Sequence, residues 1–247
     1  MKPVAIIPAR FASTRLPGKP LVLIGEEPMI VHVWKNVTQS NLFSRVIVAT
    51  DYLPIKETIE ASGGEAIMTS EKHENGTERI LEVVENCGLE NETIVNVQGD
   101  EPFLSHEILK SVVELLSESE YPICTAAEAI HKEEIYLDSN AVKVVFDLKK
   151  KAQYFSRAPI PCYRDGNYPQ NNIAWKHMGI YGFRPGVFHQ LAQLTPTELE
   201  KAEKLEQLRW LEHGFSIGVA TPDHTFSIAI DTPEDLIKAE LHWRSLQ

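Results

Sequence analysis

Cysteine is scarce in this chain of 247 residues. Its copies, Cys87, Cys124 and Cys162, neither pair off evenly nor stand at metal-ligand spacing. That argues against a disulfide framework or a structural zinc and for a reducing, cytoplasmic compartment. Long apolar runs are missing as well. None reaches the length that crosses a bilayer, and the amino terminus passes into a strand-like run without the basic, apolar and small-residue progression of a signal peptide. Basic residues are outnumbered, 24 Lys+Arg against 35 Asp+Glu, for a formal net charge of −11. A nucleic-acid backbone or an anionic membrane calls for the opposite sign, so neither is an expected partner, and no membrane insertion is expected. Glycine never gathers into the G-x-G-x-x-G turn of a dinucleotide site. Gly18-Lys19 also lacks the upstream glycine and the following Ser or Thr of a P-loop. A nicotinamide dehydrogenase and a P-loop ATPase are thereby disfavoured. Repeats, low-complexity tracts and linkers are absent too, so residues 1–247 are expected to form a single domain.

Strand-like and helix-like periods alternate through the first half of the chain. Apolar runs at Val4 to Ile7, Arg45 to Ala49, Glu65 to Met68 and Thr93 to Val97 are interleaved with helical periods near Met29 to Gln39, Ile55 to Ser62, Thr77 to Cys87 and Ser105 to Leu116. This is the pattern of βαβ units and a mainly parallel sheet. Several runs end in polar residues, Ala9-Arg10, Thr50-Asp51 and Gln98-Gly99-Asp100. Such ends share one edge of an open α/β sheet, the edge that binds ligands. From about 124 to 183 the texture changes to "AVKVVF", "AQYFS" and "HMGIYGF", with turn signals and no convincing helix. These read as antiparallel strands appended to the sheet as an arm. One helix is expected from Thr195-Pro196 to Gly214, then strands near Ser216 to Ala220 and Phe226 to Ile230, then a terminal helix begun by Thr232-Pro233.

Two groups of residues point to chemistry. After the first strand, "PARFASTRLPGK" places Arg10, Arg15 and Lys19 in one loop. Their irregular spacing suits no helical face, but a loop can converge them on a polyphosphate, arginine by forked contacts and lysine as a point charge. In "NVQGDEP", Asp100 follows an apolar strand and Gly99 permits close backbone approach. Magnesium prefers a few carboxylates with waters and phosphate oxygens. Asp231 in "IAIDTPEDL" is the best second ligand, although a helix N-cap is an equally good reading of it from local sequence. In "HENGTERI", Thr77 is either an N-cap or a base-binding hydroxyl, and Glu78 with Arg79 reads as an ordinary surface pair. Arg157 and His177 each enter an otherwise apolar strand, and Glu206, Gln207 and Arg209 could read sugar hydroxyls, though helix glutamates usually form a wet face.

Taken in order, "IPARFASTRLPGKPL", "VATD", "NGTERI", "NVQGDEP", "NAVKVVFD", "YFSRAPIP", "HMGIYGF", "LEQLRWLEHG" and "DTPEDL" resemble the 3-deoxy-manno-octulosonate (Kdo) cytidylyltransferases of lipopolysaccharide biosynthesis. The likeness runs from Ala5 to Leu236. It implies a Rossmann-like, nucleotide-diphospho-sugar transferase fold with an inserted antiparallel arm at about 124–183, and a homodimer formed through that arm. The implied reaction transfers CMP from CTP to the anomeric hydroxyl of Kdo, with Mg2+ as cofactor and diphosphate released. By the same resemblance Arg10, Arg15 and Lys19 hold the triphosphate, and Asp100 and Asp231 bind the metal. Ala9, Arg10, Gly76, Thr77 and Gln98 surround the cytidine, and Gln98, Arg157, His177, Tyr181, Glu206 and Gln207 line the sugar-acid pocket. The chain departs from the family at Ser227 to Ile230, where a glycine is usual. At this point Kdo, its 8-amino analogue and other keto-acid sugars such as sialic acid all stay open, as does a catalytically silent scaffold relative.

Overall fold

Val4–Ala9 (β1) carries VAIIPA, and all but one of its side chains are buried. A strand covered on both faces has no polar alternation, which is why its sequence is a near-continuous apolar run. The computed structural model describes residues 2–12, 16–73, 75–164 and 174–246. It divides into two compact units, Met1–Leu109 with Phe226–Gln247, and Lys110–Thr225.

In the first unit β1 lies between Arg45–Thr50 (β4) and Ile94–Asn96 (β6), parallel to both. Glu65–Met68 (β5) extends this sheet beyond β4, again in parallel. Leu23–Ile24 (β2) and Glu27–Pro28 (β3) form a small separate antiparallel pair. The connections are helical: Met29–Gln39 (α1), Leu53–Ala61 (α2) and Gly76–Asn86 (α3). In α1 the buried residues are Met29, Ile30, Val31, Val33 and Val37, an apolar face at helical spacing. Each fully buried aliphatic side chain of this kind stabilises the fold by about 1.5 to 3 kcal/mol. His106–Glu118 (α4) follows β6, and Pro233–Ser245 (α9) ends the chain. Ile24, Met29, Ile230 and Ala239 form a core cluster joined by Leu16, Ile228 and Trp243, which docks α9 and the residues before it.

The second unit is built on Ile123–Ala129 (β7). Ile217–Ala220 (β11) runs parallel to it and Trp175–Phe183 (β10) antiparallel. Lys143–Phe146 (β8) pairs antiparallel with β10, and Ala152–Ser156 (β9) antiparallel with β8. Among its described residues this unit also has four short helices: Glu133–Leu137 (α5), Val187–Leu191 (α6), Glu198–Glu203 (α7) and Glu206–Glu212 (α8).

The fold is mixed α/β with a mainly parallel sheet and added antiparallel strands, as the alternating periods predict. Four local expectations are corrected. The region 124–183 is not free of helix, since α5 forms just before β8. The single helix expected from Thr195 to Gly214 is broken: Lys204 adopts a left-handed φ of 54°, and Thr197 rather than Thr195 caps α7. The break turns Leu205 inward, leaving it 6% exposed. Phe226 to Ile230 is no strand. Its backbone makes single hydrogen bonds to a loop, Ser105 N to Phe226 O and Ile230 N to Asp100 O, in place of a ladder. Finally, the cap of α3 is Asn75, whose side chain accepts from Glu78 N, so Thr77 lies inside the helix.

Candidate active site

A cleft of about 430 Å³ opens in the first unit, where β1 and β6 end. Ala9, Arg10, Lys19, Gly76, Gln98, Asp100 and Asp231 line it together with His73, Asn75, Arg79 and Gly99. Of the residues expected around the nucleotide and metal, Thr77 is not part of this lining. Arg15 lies outside the described residues.

Backbone geometry fixes the two aspartates. Val97 N donates to Ile6 O at 3.1 Å, continuing the register of β6 beside β1. A Cβ on Gly99 would stand 2.6 Å from Pro8 O, so only glycine lets the chain turn this close to β1 before Asp100. Ile230 N then donates to Asp100 O at 3.0 Å, and Ser227 Oγ to Glu101 Oε2 at 2.9 Å, which sets Asp231 beside Asp100. The segment that departs from the family pattern is thus the one that carries Asp231 into place. The N-cap of α9 is Thr232, in a reciprocal capping box with Asp235. Asp231 is therefore not the cap, and it lines the cleft.

Both carboxylates reach one cation. Lys19 Nζ donates to Asp100 Oδ2 at 2.7 Å and to Asp231 Oδ1 at 2.8 Å, with its side chain only 12% exposed. Lys19 begins a 3-10 turn, Lys19–Leu21, entered through Gly18 at a left-handed φ of 67°. The donor set, two carboxylate oxygens converging on a single positive centre, also suits a hard, oxygen-seeking divalent ion.

Sequence reasoning missed the groups that support the cleft. Arg79 is not half of a surface pair with Glu78. It is 3% exposed, and its Nη2 donates to Asp51 Oδ2 at 2.7 Å while Nη1 donates to Thr69 Oγ1. Asp51 Oδ1 accepts from Phe11 N at 3.2 Å, and the Phe11 ring stacks on Tyr52 with centroids 3.9 Å apart. The residue after Arg10 is thereby fastened to a buried ion pair. His73 Nε2 lies 2.5 Å from Glu82 Oε2, which also accepts from Ser70 N at 2.8 Å. Burial would raise the Glu82 carboxyl, but these hydrogen bonds and the nearby Arg79 charge hold it below its ordinary range. The only sequence signal for Asp51 was its place at a strand end.

The residues assigned to the sugar acid, Gln98 apart, fall in the second unit. His177 and Tyr181 are four residues apart on β10, a span of about 13 Å in regular strand, yet their ring centroids are 5.3 Å apart. A register shift against β7 between Met178 and Tyr181 closes that distance. Thr125 Oγ1 donates to the Ile180 carbonyl at 2.7 Å and stands 3.0 Å from His177 Nε2. With its one proton directed at a carbonyl, Oγ1 accepts from Nε2–H, which leaves the lone pair on Nδ1. Burial, with the charge of Lys176, pulls this imidazole down to about 3, so it is neutral at physiological pH. The Tyr181 hydroxyl is buried with no hydrogen-bond partner among the described residues. Burial and the Glu206 charge push it well above its ordinary value, so it remains a donor. Glu206 and Gln207 form the first turn of α8, where Gln207 is buried. The Arg157 guanidinium is engaged with backbone carbonyls, Nε with Glu203 O at 2.7 Å and Nη1 with Ser139 O at 3.1 Å.

Residues 4–217 match the family model described as cytidylyltransferase. The chain belongs to the cytidylyltransferase family. It is a nucleotidyltransferase. Among solved structures it is similar to a CMP:2-keto-3-deoxy-manno-octonic acid synthetase complexed with CTP, at 36% identity and TM-score 0.90, with 100% of both chains covered. It shares its fold with a putative glucose-1-phosphate thymidylyltransferase from Bacillus anthracis in complex with a sucrose, at 17% identity and TM-score 0.68, covering 98% of this chain and 96% of that one. A cytidylyltransferase needs a place for a triphosphate, and in this one Arg10, Lys19, Gln98 and the paired aspartates meet in one cleft.

Proposed function

We propose that this cytidylyltransferase transfers CMP from CTP to the anomeric hydroxyl of Kdo, releasing diphosphate and supplying CMP-Kdo for lipopolysaccharide assembly. The observation that carries the reading is the convergence of Asp100 and Asp231 on one cation in a cleft that also holds Arg10 and Gln98. The full-length likeness to a synthetase of this kind supports the choice of sugar.

In this reading the triphosphate lies along Arg10, Arg15 and Lys19, whose charges stabilise the departing diphosphate. Ala9, Gly76, Thr77 and Gln98 surround the cytidine. Asp100 and Asp231 would hold a magnesium ion, which when bound would neutralise phosphate charge and lower the pKa of a nearby hydroxyl. Lys19, oriented by the same two carboxylates, directs its ammonium at the phosphates. Neutral His177, the Tyr181 hydroxyl, Glu206 and Gln207 orient the sugar hydroxyls, Gln98 assists, and Arg157 pairs with the acid's carboxylate. The anomeric oxygen attacks the α-phosphorus and the bond to the β-phosphate oxygen breaks, without a covalent enzyme intermediate. The enzyme acts by positioning and by charge.

We further read it as a cytoplasmic homodimer associating through the strands of 124–183. Among the described residues no helix is long and apolar enough to cross a membrane. Light scattering on the purified chain tests the dimer. Diphosphate release measured with four nucleotides, several keto-acid sugars and Mg2+ or chelator tests the reaction. Release with CTP and Kdo that chelator abolishes is the expected result; release with sialic acid but not with Kdo would overturn the substrate assignment.

A further inference from the structure

The second unit contains a buried cation to which the mechanism gives no task. Lys143, at the start of β8, is 0% exposed. Its Nζ donates to Asp138 O at 2.8 Å, Ala141 O at 2.6 Å and Arg157 O at 2.7 Å. An ammonium has three N–H groups, and three carbonyls satisfy it completely. Lysine is almost never fully buried without such pairing, and a methionine of similar length would fill the same space without desolvating a charge. The ammonium therefore needs a reason other than packing.

The reason lies in what it joins. Asp138 and Ala141 bracket the segment between α5 and β8, and Arg157 directly follows β9. Arg157 Nη1 returns to that segment at Ser139 O. From the same residue, the backbone N donates to Glu203 Oε2 at 2.9 Å and Nε to Glu203 O at 2.7 Å, while Ser156 Oγ donates to Glu203 Oε1 at 2.6 Å. Glu203 ends α7, and Lys204 makes the left-handed turn that starts α8 at Glu206 and Gln207. A continuous chain of hydrogen bonds thus runs from Lys143 through Arg157 and Glu203 to the α7–α8 junction.

We infer that Lys143 is a positioning residue for the acid sugar. It holds the Arg157 backbone, and through Glu203 the first turn of α8, in the arrangement that receives the substrate. The inference rests on the reading of Arg157, Glu206 and Gln207 as acid-sugar contacts. Lys143→Met removes the hub, and Lys143→Gln, whose amide still reaches carbonyls, is the milder form if the first fails to fold. Hydrogen exchange of the unliganded protein and kinetics with CTP and Kdo varied separately test it. Loss of charge-assisted hydrogen bonds should raise the KM for Kdo about tenfold in Lys143→Met and less in Lys143→Gln, with the KM for CTP within about twofold. Amides at 203–207 should exchange faster in both. Unchanged exchange at 203–207 would overturn the inference. Faster exchange with an unchanged KM for Kdo would reduce Lys143 to a structural role and overturn it too. If the wild type released no diphosphate with any keto-acid sugar, the functional reading would fail, and exchange alone would decide whether Lys143 orders this junction.

Discussion

Asp51→Ala should lower the stability of the first unit by about 3 to 5 kcal/mol, the range for breaking a buried pair by removing one partner. The magnitude follows from burial: the Arg79 side chain is 3% exposed and that of Asp51 13%, at an N···O distance of 2.7 Å. With the carboxylate gone, a guanidinium is left in the core with Thr69 Oγ1 as one remaining acceptor. The Phe11 N–H loses its partner as well, but that group is exposed and water replaces most of the bond. Glu65→Ala is the control. Its pair with Arg45 is 2.6 Å long but 39% and 44% exposed, and should be worth under about 1 kcal/mol. Equilibrium urea unfolding followed by circular dichroism, with hydrogen exchange across α3, reads the difference. Because Phe11 N anchors the chain next to Arg10, Asp51→Ala should also raise the KM for CTP. Equal losses from Asp51→Ala and Glu65→Ala would refute the claim that burial, rather than distance, sets the worth of these pairs.

Asp100→Asn and Asp231→Asn should each abolish most diphosphate release with circular-dichroism melts little changed; full activity of Asp231→Asn would remove that residue from the site. Gly99→Ala should reduce both stability and release, since the new Cβ would meet Pro8 O at 2.6 Å. Thermal melts and diphosphate release in parallel check it. His177 sits near 3 in the fold against about 6.5 when unfolded, so the native state binds fewer protons between those values. Its contribution is whole above pH 6.5 and lost as pH falls towards 3, on the order of 5 kcal/mol. Urea titrations from pH 7 to 4 should show this slope, reduced in His177→Gln.

The parallel half was legible because its sequence is periodic and its strands are buried on both faces, as in VAIIPA of β1. The same rule, that polar residues closing such strands gather at one edge of the sheet, pointed to Asp100, which the structure places in the lining of the cleft. Asp231 could not be resolved that way, because a cap and a ligand look alike until Thr232 is seen to make the capping box. Where sequence failed, the decisive partner was distant in the chain. The helical period continues unbroken through Lys204, and it is the burial of Leu205 and the grip of Arg157 on Glu203 O that divide α7 from α8. Phe226 to Ile230 has the apolar content of a strand but finds a loop to bond with, not a neighbour in a sheet. Arg79 and Asp51 are 28 residues apart, with nothing local to couple them. The approach of His177 to Tyr181 goes with a shift of register that alternation alone does not announce.

The acidic balance of the chain and its use of an anionic nucleotide are reconciled by where the cations sit. Arg79 and Lys143 are enclosed, the first neutralised by Asp51 and the second satisfied by carbonyls, so they order backbone and contribute little field at the surface. At the cleft, Lys19 stands between two carboxylates. Those three groups together carry net negative charge, an unfavourable host for a triphosphate at contact distance. In the proposed reading a divalent ion held by the aspartates would reverse that sign and free Lys19, so nucleotide and metal should bind cooperatively rather than independently. The overall charge of −11 does not oppose this, because distant surface charges are screened within about 10 Å in ordinary salt while groups inside the cleft are not.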